Sequence, residues 1–316
     1  MIQFSFSNRR HVLFATLFIV GVLWGSFVKA PLVYPEGSLV HIPQGASISE
    51  TADILKEKNA ILSPGFFSLI IRTFSPSGVL AGTYALSHKE TVFSIAYRFS
   101  EGETGLEPVR VTIPEGVTVK QMAEIYSETL MDFDSDKFIK IATKYEGYLF
   151  PDTYFFLPGT PPEAVLDKMR ETFDEKVSPF EADIKKFGKT LDEVVTMASL
   201  LEREARKFET RQVVAGILWK RIARGMPLQV DAVFGYIFGR ETYSPTFSDL
   251  QVDSPYNTYR NKGLPPTAIA NPGLEAIRAA ISPVETPYLF YLTGKDGKMY
   301  YARTFEQHVA NRQYLK

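Results

Sequence analysis

The sequence predicts an α+β chain: a single N-terminal transmembrane helix, a region of short strand–helix units, and a mixed α/β region after it. Three observations carry this prediction. Residues 12–28 form an apolar run without a charge. A strand–turn–helix motif occurs twice, without a gap. Beyond residue 145, capped amphipathic helices alternate with proline-broken loops and lead to a β-hairpin. Composition agrees. Apolar residues make up 45% and charged residues 22%, which argues against wholesale disorder and against a polytopic membrane protein. A chain of 316 residues is long enough for about two domains, each burying its own core. Lys+Arg 35 against Asp+Glu 36 leaves a formal net charge of -1. No nucleic acid partner is expected on that balance, because phosphate binding needs a basic surplus. The absence of cysteine removes disulfides, thiolate zinc sites and cysteine nucleophiles together.

The apolar run reads VLFATLFIVGVLWGSFV from Val12 to Val28. With Ala30, Leu32 and Val33 it approaches the roughly 20 residues that span a bilayer. Arg9 and Arg10 precede it and Lys29 follows, a charge balance that predicts an N-terminus in the cytoplasm. The expected layout is a cytoplasmic tail at 1–11, a transmembrane anchor at 12–30 and the bulk of the chain outside. Trp24 and Tyr34 would sit at the outer interface. The alternative is a cleaved signal peptide with Val28-Lys29-Ala30 as its small-residue site. The run exceeds the usual signal-peptide core and Pro31 would follow the cut directly, so the lengths favour a retained anchor.

The repeat aligns Val40-His41-Ile42-Pro43-Gln44-Gly45-Ala46-Ser47-Ile48 with Val111-Thr112-Ile113-Pro114-Glu115-Gly116-Val117-Thr118-Val119, and continues to Ile54 and Ile125. Each copy opens as an alternating strand. Pro-x-Gly turns it, and Ser47 or Thr118 caps a helix. Ser47 with Glu50, and Thr118 with Gln121, have capping-box spacing. A further capped helix starts at Thr91, after the strand-like segment 81–86. Units of this kind resemble LysM modules, which bind glycans rich in N-acetylglucosamine; a generic strand–turn–helix unit without a ligand fits the same pattern.

Residues 146–156 pack five aromatics and a proline into eleven positions, as core or as platforms for sugar rings. Residues 163–176 and 179–187 read as amphipathic helices. Thr190-Leu-Asp-Glu193 is a further capping box, and the helix it starts runs to about Arg206. Leu191, Val194, Val195, Ala198, Leu201 and Ala205 fall on an arc of roughly 120°. Glu202 projects inside that arc, whereas Glu204 projects near Glu193, Met197 and Leu200. A carboxyl among apolar neighbours resists ionisation, so its pKa should rise toward what a general acid requires. The alternative is a Glu202 at the edge of the arc, reaching water or pairing with Arg206. The four histidines, His11, His41, His88 and His308, have no metal-ligand spacing, so no zinc site is expected. No G-x-S-x-G elbow, Walker loop or G-x-G-x-x-G fingerprint occurs. Beyond the helix, Gln229 and Asp231 follow in an extended segment. Residues 254–260 and 263–266 are proline-broken loops, a helix starts after Asn271-Pro-Gly273, and residues 288–302 read as a hairpin.

The runs Met197-Ala-Ser-Leu-Leu-Glu-Arg-Glu204, Leu228-Gln-Val-Asp231, Ser254-Pro-Tyr-Asn-Thr-Tyr259, Gly263-Leu-Pro-Pro266, Ile269-Ala-Asn-Pro-Gly273 and Thr286-Pro-Tyr-Leu-Phe290, with Glu146-Gly-Tyr-Leu-Phe-Pro-Asp-Thr-Tyr154, resemble the YceG-like (MltG) family of endolytic murein transglycosylases. The resemblance covers nearly the whole chain. It implies a LysM-like region at 36–145 and a catalytic domain at 146–316, outside the inner membrane. It puts the catalytic glutamate on Glu202 and needs no cofactor. It implies cleavage of the bond between N-acetylmuramic acid and N-acetylglucosamine in nascent peptidoglycan glycan strands, leaving a 1,6-anhydro end and terminating glycan elongation. Peptidoglycan synthases are candidate partners. Glu204, Gln229, Asp231, Asn257 and Tyr259 are candidates for orienting Glu202 or holding sugars, and Tyr148 and Tyr154 for lining the cleft. One departure is plain. The family usually reads Leu-Gln-(Ser or Thr)-Asp-Pro, and here Val230 and Ala232 flank Asp231. Two other classes stay open: a peptidoglycan hydrolase that uses Glu202 with Asp231 as the second carboxylate, and a non-catalytic wall-binding scaffold that uses only the LysM-like region and the anchor.

Overall fold

The computed structural model of the chain describes residues 6–75, 78–240 and 245–315. Of the expected tail at 1–11, residues 1–5 lie outside the described residues. Two compact units result. The first runs to Pro108 and includes Leu157–Gly159; the second takes Val109–Phe156 and the chain from Thr160 on.

Unit 1 starts with α1 (Phe6–Leu23), which closes in a π-helical turn over Trp24–Val28. His11–Val28 is the candidate span among the described residues, apolar and long enough to cross a membrane. Then follow β1 (Ser38–Ile42), α2 (Ile48–Glu57), α3 (Pro64–Phe74), β2 (Gly82–Leu86) and α4 (Val92–Glu101). Strands β1 and β2 pair antiparallel, with Val40 opposite Tyr84. The Ser47 capping box forms: the Glu50 N–H donates to Ser47 Oγ at 3.2 Å and the Ser47 N–H to Glu50 Oε2 at 2.7 Å, satisfying two donors that a bare helix start leaves open. Val40, Ile42, Leu55, Phe67, Ile71, Tyr84 and Phe99 share one core.

Unit 2 repeats this order with β3 (Val109–Thr112), α5 (Val119–Thr129), α6 (Ser135–Ala142) and β4 (Thr153–Phe156). Thr118 and Gln121 form the matching capping box, and the turn glycines Gly45 and Gly116 both hold φ near +80°, a conformation that glycine adopts without strain. The repeat therefore extends past the segment visible in sequence to a closing strand. Val111 faces Tyr154 across β3–β4, as Val40 faces Tyr84. The Tyr84 hydroxyl donates to the Leu80 carbonyl at 2.7 Å and the Tyr154 hydroxyl to the Phe150 carbonyl at 2.6 Å, each four residues back. Because the second copy packs inside unit 2, the two compact units divide at 108/109, away from the expected boundary at 145/146.

The rest of unit 2 is mainly helical: α7 (Pro162–Val177), α8 (Glu181–Phe187), α9 (Leu191–Glu204), α10 (Phe208–Ala223), α11 (Ala232–Phe238) and α12 (Leu274–Ile281). The hairpin β5 (Phe290–Thr293) and β6 (Met299–Ala302) and the helix α13 (Phe305–Asn311) complete it. Helix α9 is the axis of its core. Every residue from Val194 to Leu201 is buried, because α10, α11 and α12 all pack against it. The one-sided apolar arc expected for this helix is therefore replaced by burial all round. The helix also ends at Glu204 rather than near Arg206, since Ala205 is extended (φ -147°, ψ 143°).

Candidate active site

The last turn of α9 opens onto a cleft of about 1220 Å³ within unit 2. Its walls come from four places: the β3–α5 turn with Glu115 and Gly116, the α9–α10 junction from Glu202 to Thr210, the start of α11 with Asp231 and Ala232, and the β5–β6 hairpin with Lys298, Met299 and Tyr301. Glu115, Glu202, Glu204 and Asp231 bring four carboxyl groups to one cavity.

Glu202 is the most constrained of them. Its side chain is buried. Oε1 accepts a hydrogen bond from the Arg211 guanidinium, and Oε2 accepts the Gly273 N–H at 3.0 Å. Gly273 is the N-cap of α12, so the carboxylate faces the positive end of that helix. Arg211, on the first turn of α10, is itself buried and donates from Nε to the Ala205 carbonyl at 2.8 Å. The net effect holds the Glu202 carboxyl above its ordinary pKa. Desolvation raises it, Arg211 and the Gly273 N–H pull the other way, and the charges of Glu115 and Glu275 add to the rise. The approach is close. A Cβ at Gly273 would overlap the Glu115 carboxylate, so glycine is what lets the Glu115 turn, the start of α12 and Glu202 meet.

Asn271 holds this junction from behind. Its Oδ1 accepts the N–H groups of Gly147 and Leu149 at 2.8 and 3.0 Å; its Nδ2 donates to the Val117 carbonyl and to Glu146 Oε1 at 3.1 and 2.6 Å. Gly116 N–H donates to the Asn271 carbonyl at 2.8 Å, and Ser199 Oγ on α9 accepts the Ile269 N–H at 3.0 Å. Glu146, buried, accepts the Val119 N–H at the start of α5. Burial pushes its carboxyl up to about 8, against the lowering effect of the Val119 N–H and Asn271.

Glu204 and Asp231 form a second acidic pair in the cleft. Glu204 bonds to the Tyr291 hydroxyl and the Ala232 N–H; desolvation raises its pKa to about 7, with the Asp231 charge adding to the rise. The Tyr259 hydroxyl donates to Asp231 Oδ1 at 2.5 Å. The departure at Ala232 has a local meaning. A proline there would have no N–H for Glu204, and it would disfavour the helical backbone of Asp231 (φ -69°, ψ -29°).

Of the residues singled out in the sequence, Glu202, Glu204 and Asp231 line the cleft, and Tyr259 supports Asp231. The others are placed elsewhere. Asn257 is fully buried and its amide is used by its own loop: Nδ2 donates to the Leu250 and Val252 carbonyls, and Oδ1 accepts the Tyr259 N–H. Gln229 is exposed, with a left-handed φ of 53°, and its backbone N–H donates to the Thr258 carbonyl. Tyr148 donates to Asp192 and packs on Phe173. Tyr154 belongs to the β3–β4 core, the counterpart of Tyr84, so it is not a cleft wall. Arg211, Glu115, Asn271 and Glu146 were not assigned a role from sequence. Arg211 replaces Arg206 as the partner of Glu202 because the break at Ala205 turns the chain before α10 begins.

Comparison with known proteins gives the same outline. The YceG-like family profile matches residues 40–314. An endolytic murein transglycosylase of Bacillus subtilis is 32% identical over 87% of this chain and 84% of its own length. One from Streptococcus pneumoniae is 30% identical over 86% of this chain and 57% of its own. A solved structure of a yceG-like protein from Listeria monocytogenes superposes with a TM-score of 0.58 at 28% identity, covering 87% of this chain and 99% of that one. The match runs from the first strand–helix copy through the cleft to α13, and the chain belongs to the YceG-like family.

Proposed function

We propose that the chain is an endolytic murein transglycosylase, anchored by residues 12–30 in the inner membrane with its catalytic part outside, and that Glu202 is its general acid and base. The observation that carries the reading is the setting of Glu202. It is a buried carboxyl on the cleft, with a raised pKa, and it is flanked by Arg211 and a helix N-terminal N–H. The names of the relatives support the substrate and the bond. The strand–helix–helix–strand order of both copies supports a LysM-like glycan-binding role for the region at 36–145.

A raised pKa favours the protonated form of Glu202, the form a general acid needs. Glu202 gives it to the oxygen bridging N-acetylmuramic acid and N-acetylglucosamine. The C1–O bond breaks, and positive charge develops on the muramic ring as an oxocarbenium-like centre. Arg211 and the Gly273 N–H stabilise the carboxylate left behind, which suits a group that must next act as a base. The C6 hydroxyl of the same muramic sugar attacks C1, and Glu202 takes the hydroxyl proton back. The products are a 1,6-anhydro-muramic end and a free C4 hydroxyl on N-acetylglucosamine. No water enters. The nucleophile is tethered in the substrate, so proximity replaces the second carboxylate that a hydrolase uses. Glu204 and Asp231, supported by Tyr259, hold the sugars.

The test is mass spectrometry of products from uncrosslinked glycan strands treated with the full chain in nanodiscs, beside Glu202→Gln. Ends one water lighter than hydrolysis products, absent with the variant, are expected. Reducing ends would make the protein a hydrolase with Asp231 as the second carboxylate, and intact strands with both proteins would leave a wall-binding scaffold.

A further inference from the structure

We infer that one flank of unit 1, formed by α3 and α4, rests in the outer interface of the bilayer that α1 crosses. The inference depends on the anchored reading above and adds a second contact with the lipid. The span His11–Val28 has 18 residues, about 27 Å of helix at 1.5 Å per residue, close to the thickness of the hydrocarbon core. Its last turn, Trp24–Val28, therefore leaves the bilayer at headgroup level, and whatever packs on that turn lies at the same depth. The Phe27 ring lies 5.9 Å from Phe66 on α3, and Phe66 lies edge-on 5.8 Å from Phe93 on α4.

The surface continues from these rings. Helix α3 buries Phe67, Ile70 and Ile71. Phe66 and Leu69 lie within roughly 60° of each other on its flank, and Leu69 is 59% exposed. On α4, Phe93 and Tyr97 share a face at i and i+4, at 44% and 60% exposed. Leu32 and Val33, just past the span, are also exposed. A contiguous group of exposed apolar side chains, unlike a single one, marks a surface that meets a partner or a membrane. Here the neighbour on the same side is the bilayer itself. Tyr97 has the apolar body and polar tip of an interfacial residue. Lys29 and Arg72, both exposed, border the patch and suit phosphate headgroups. Docking of this kind would fix the height and tilt of unit 1 at the membrane, which a single helix leaves free.

The cysteine-free sequence permits single spin labels on the full chain. Leu69→Cys and Phe93→Cys report the patch. Val20→Cys reports α1, and His41→Cys reports water, since His41 lies on the face of β1 opposite the buried Val40 and Ile42. Each is reconstituted in nanodiscs of phosphatidylethanolamine and phosphatidylglycerol, and collision with oxygen is compared with collision with a water-soluble nickel chelate. The expected order of depth is 20, then 69 and 93 together, then 41 in water. Labels at 69 and 93 as aqueous as that at 41, with 20 deep, would overturn the docking and leave the anchor standing. An aqueous label at 20 would overturn the anchor and the docking with it. Labels at 69 and 93 shielded from both reagents would replace the lipid with a protein occupant.

Discussion

Substituting Glu146→Gln tests the electrostatics behind the cleft. Glu146 is buried, bonded to the Val119 N–H and Asn271, and titrates near 8 in the fold instead of 4.5. Between those values the folded chain keeps a proton that the unfolded chain has released, so stability falls as pH rises. The stabilising effect of the neutral form is complete below about 4.5 and is lost as pH climbs through 8. At about 1.4 kcal/mol per pH unit, the whole window is worth on the order of 5 kcal/mol. Glutamine copies the protonated carboxyl: its oxygen still accepts from Val119 and Asn271, and nothing titrates. The two proteins should be about equally stable at pH 5, and the variant should be the more stable by several kcal/mol at pH 9. With Trp24→Phe as background, Trp219 on α10 is the one remaining tryptophan, and its fluorescence follows urea unfolding of unit 2. Glu202 and Glu204 also have raised values but are present in both proteins, so the difference isolates Glu146. A stability difference that stays constant from pH 5 to 9 would refute the reasoning.

Tyr154→Phe removes the hydrogen bond to the Phe150 carbonyl and should cost about 1 kcal/mol of stability, with glycan cleavage unchanged; lost cleavage at full stability would return Tyr154 to the cleft. Arg211→Gln removes an influence that lowers the Glu202 pKa. The protonated acid then persists further into base, so the alkaline limb of kcat/KM should move to higher pH while kcat falls. A limb that stays in place would deny the coupling. Ala232→Pro deletes the N–H that bonds Glu204 and disfavours the Asp231 backbone. A loss of about 1–3 kcal/mol by urea unfolding is expected, together with a Glu204 carboxyl that titrates higher by NMR.

The parts of the fold legible in sequence were those set by neighbours along the chain. Ser47, Thr118 and Thr190 cap the helices their spacing announced, each with both hydrogen bonds of the capping box. The hairpin closed by residues 294–298 formed for the same reason. Contacts across long separations left weaker marks. Strand β4 hides in an aromatic segment that reads as core or as platforms for sugar rings, and only its pairing with β3, with Val111 opposite Tyr154, shows that the repeat has a closing strand. Helix α9 misleads in another way. Periodicity assumes one wet face, and this helix has none from Val194 to Leu201.

The candidate site divides along the same line. Glu202 stood out because a carboxyl among apolar residues is costly wherever the chain folds. Its partners could not stand out, since Arg211 lies beyond a helix break and Gly273 comes from a loop 71 residues away. Three buried or half-buried glutamates meet helix N-termini in unit 2: Glu146 at α5, Glu204 at α11 and Glu202 at α12. The dipole at each helix start favours the carboxylate, yet all three have raised pKa values, so desolvation outweighs the dipole every time. What separates them is the company. Glu146 bonds to a backbone N–H and an amide, away from the cleft lining. Glu204 shares the cleft with another carboxylate. Glu202 alone of the three has a buried guanidinium at its side and opens on the cleft. A group that must first hold a proton and then survive without it needs both a dry setting and a cation. Exchanging carboxylate for amide at the three positions should therefore separate roles: stability against pH at 146, sugar affinity at 204, and the chemical step at 202.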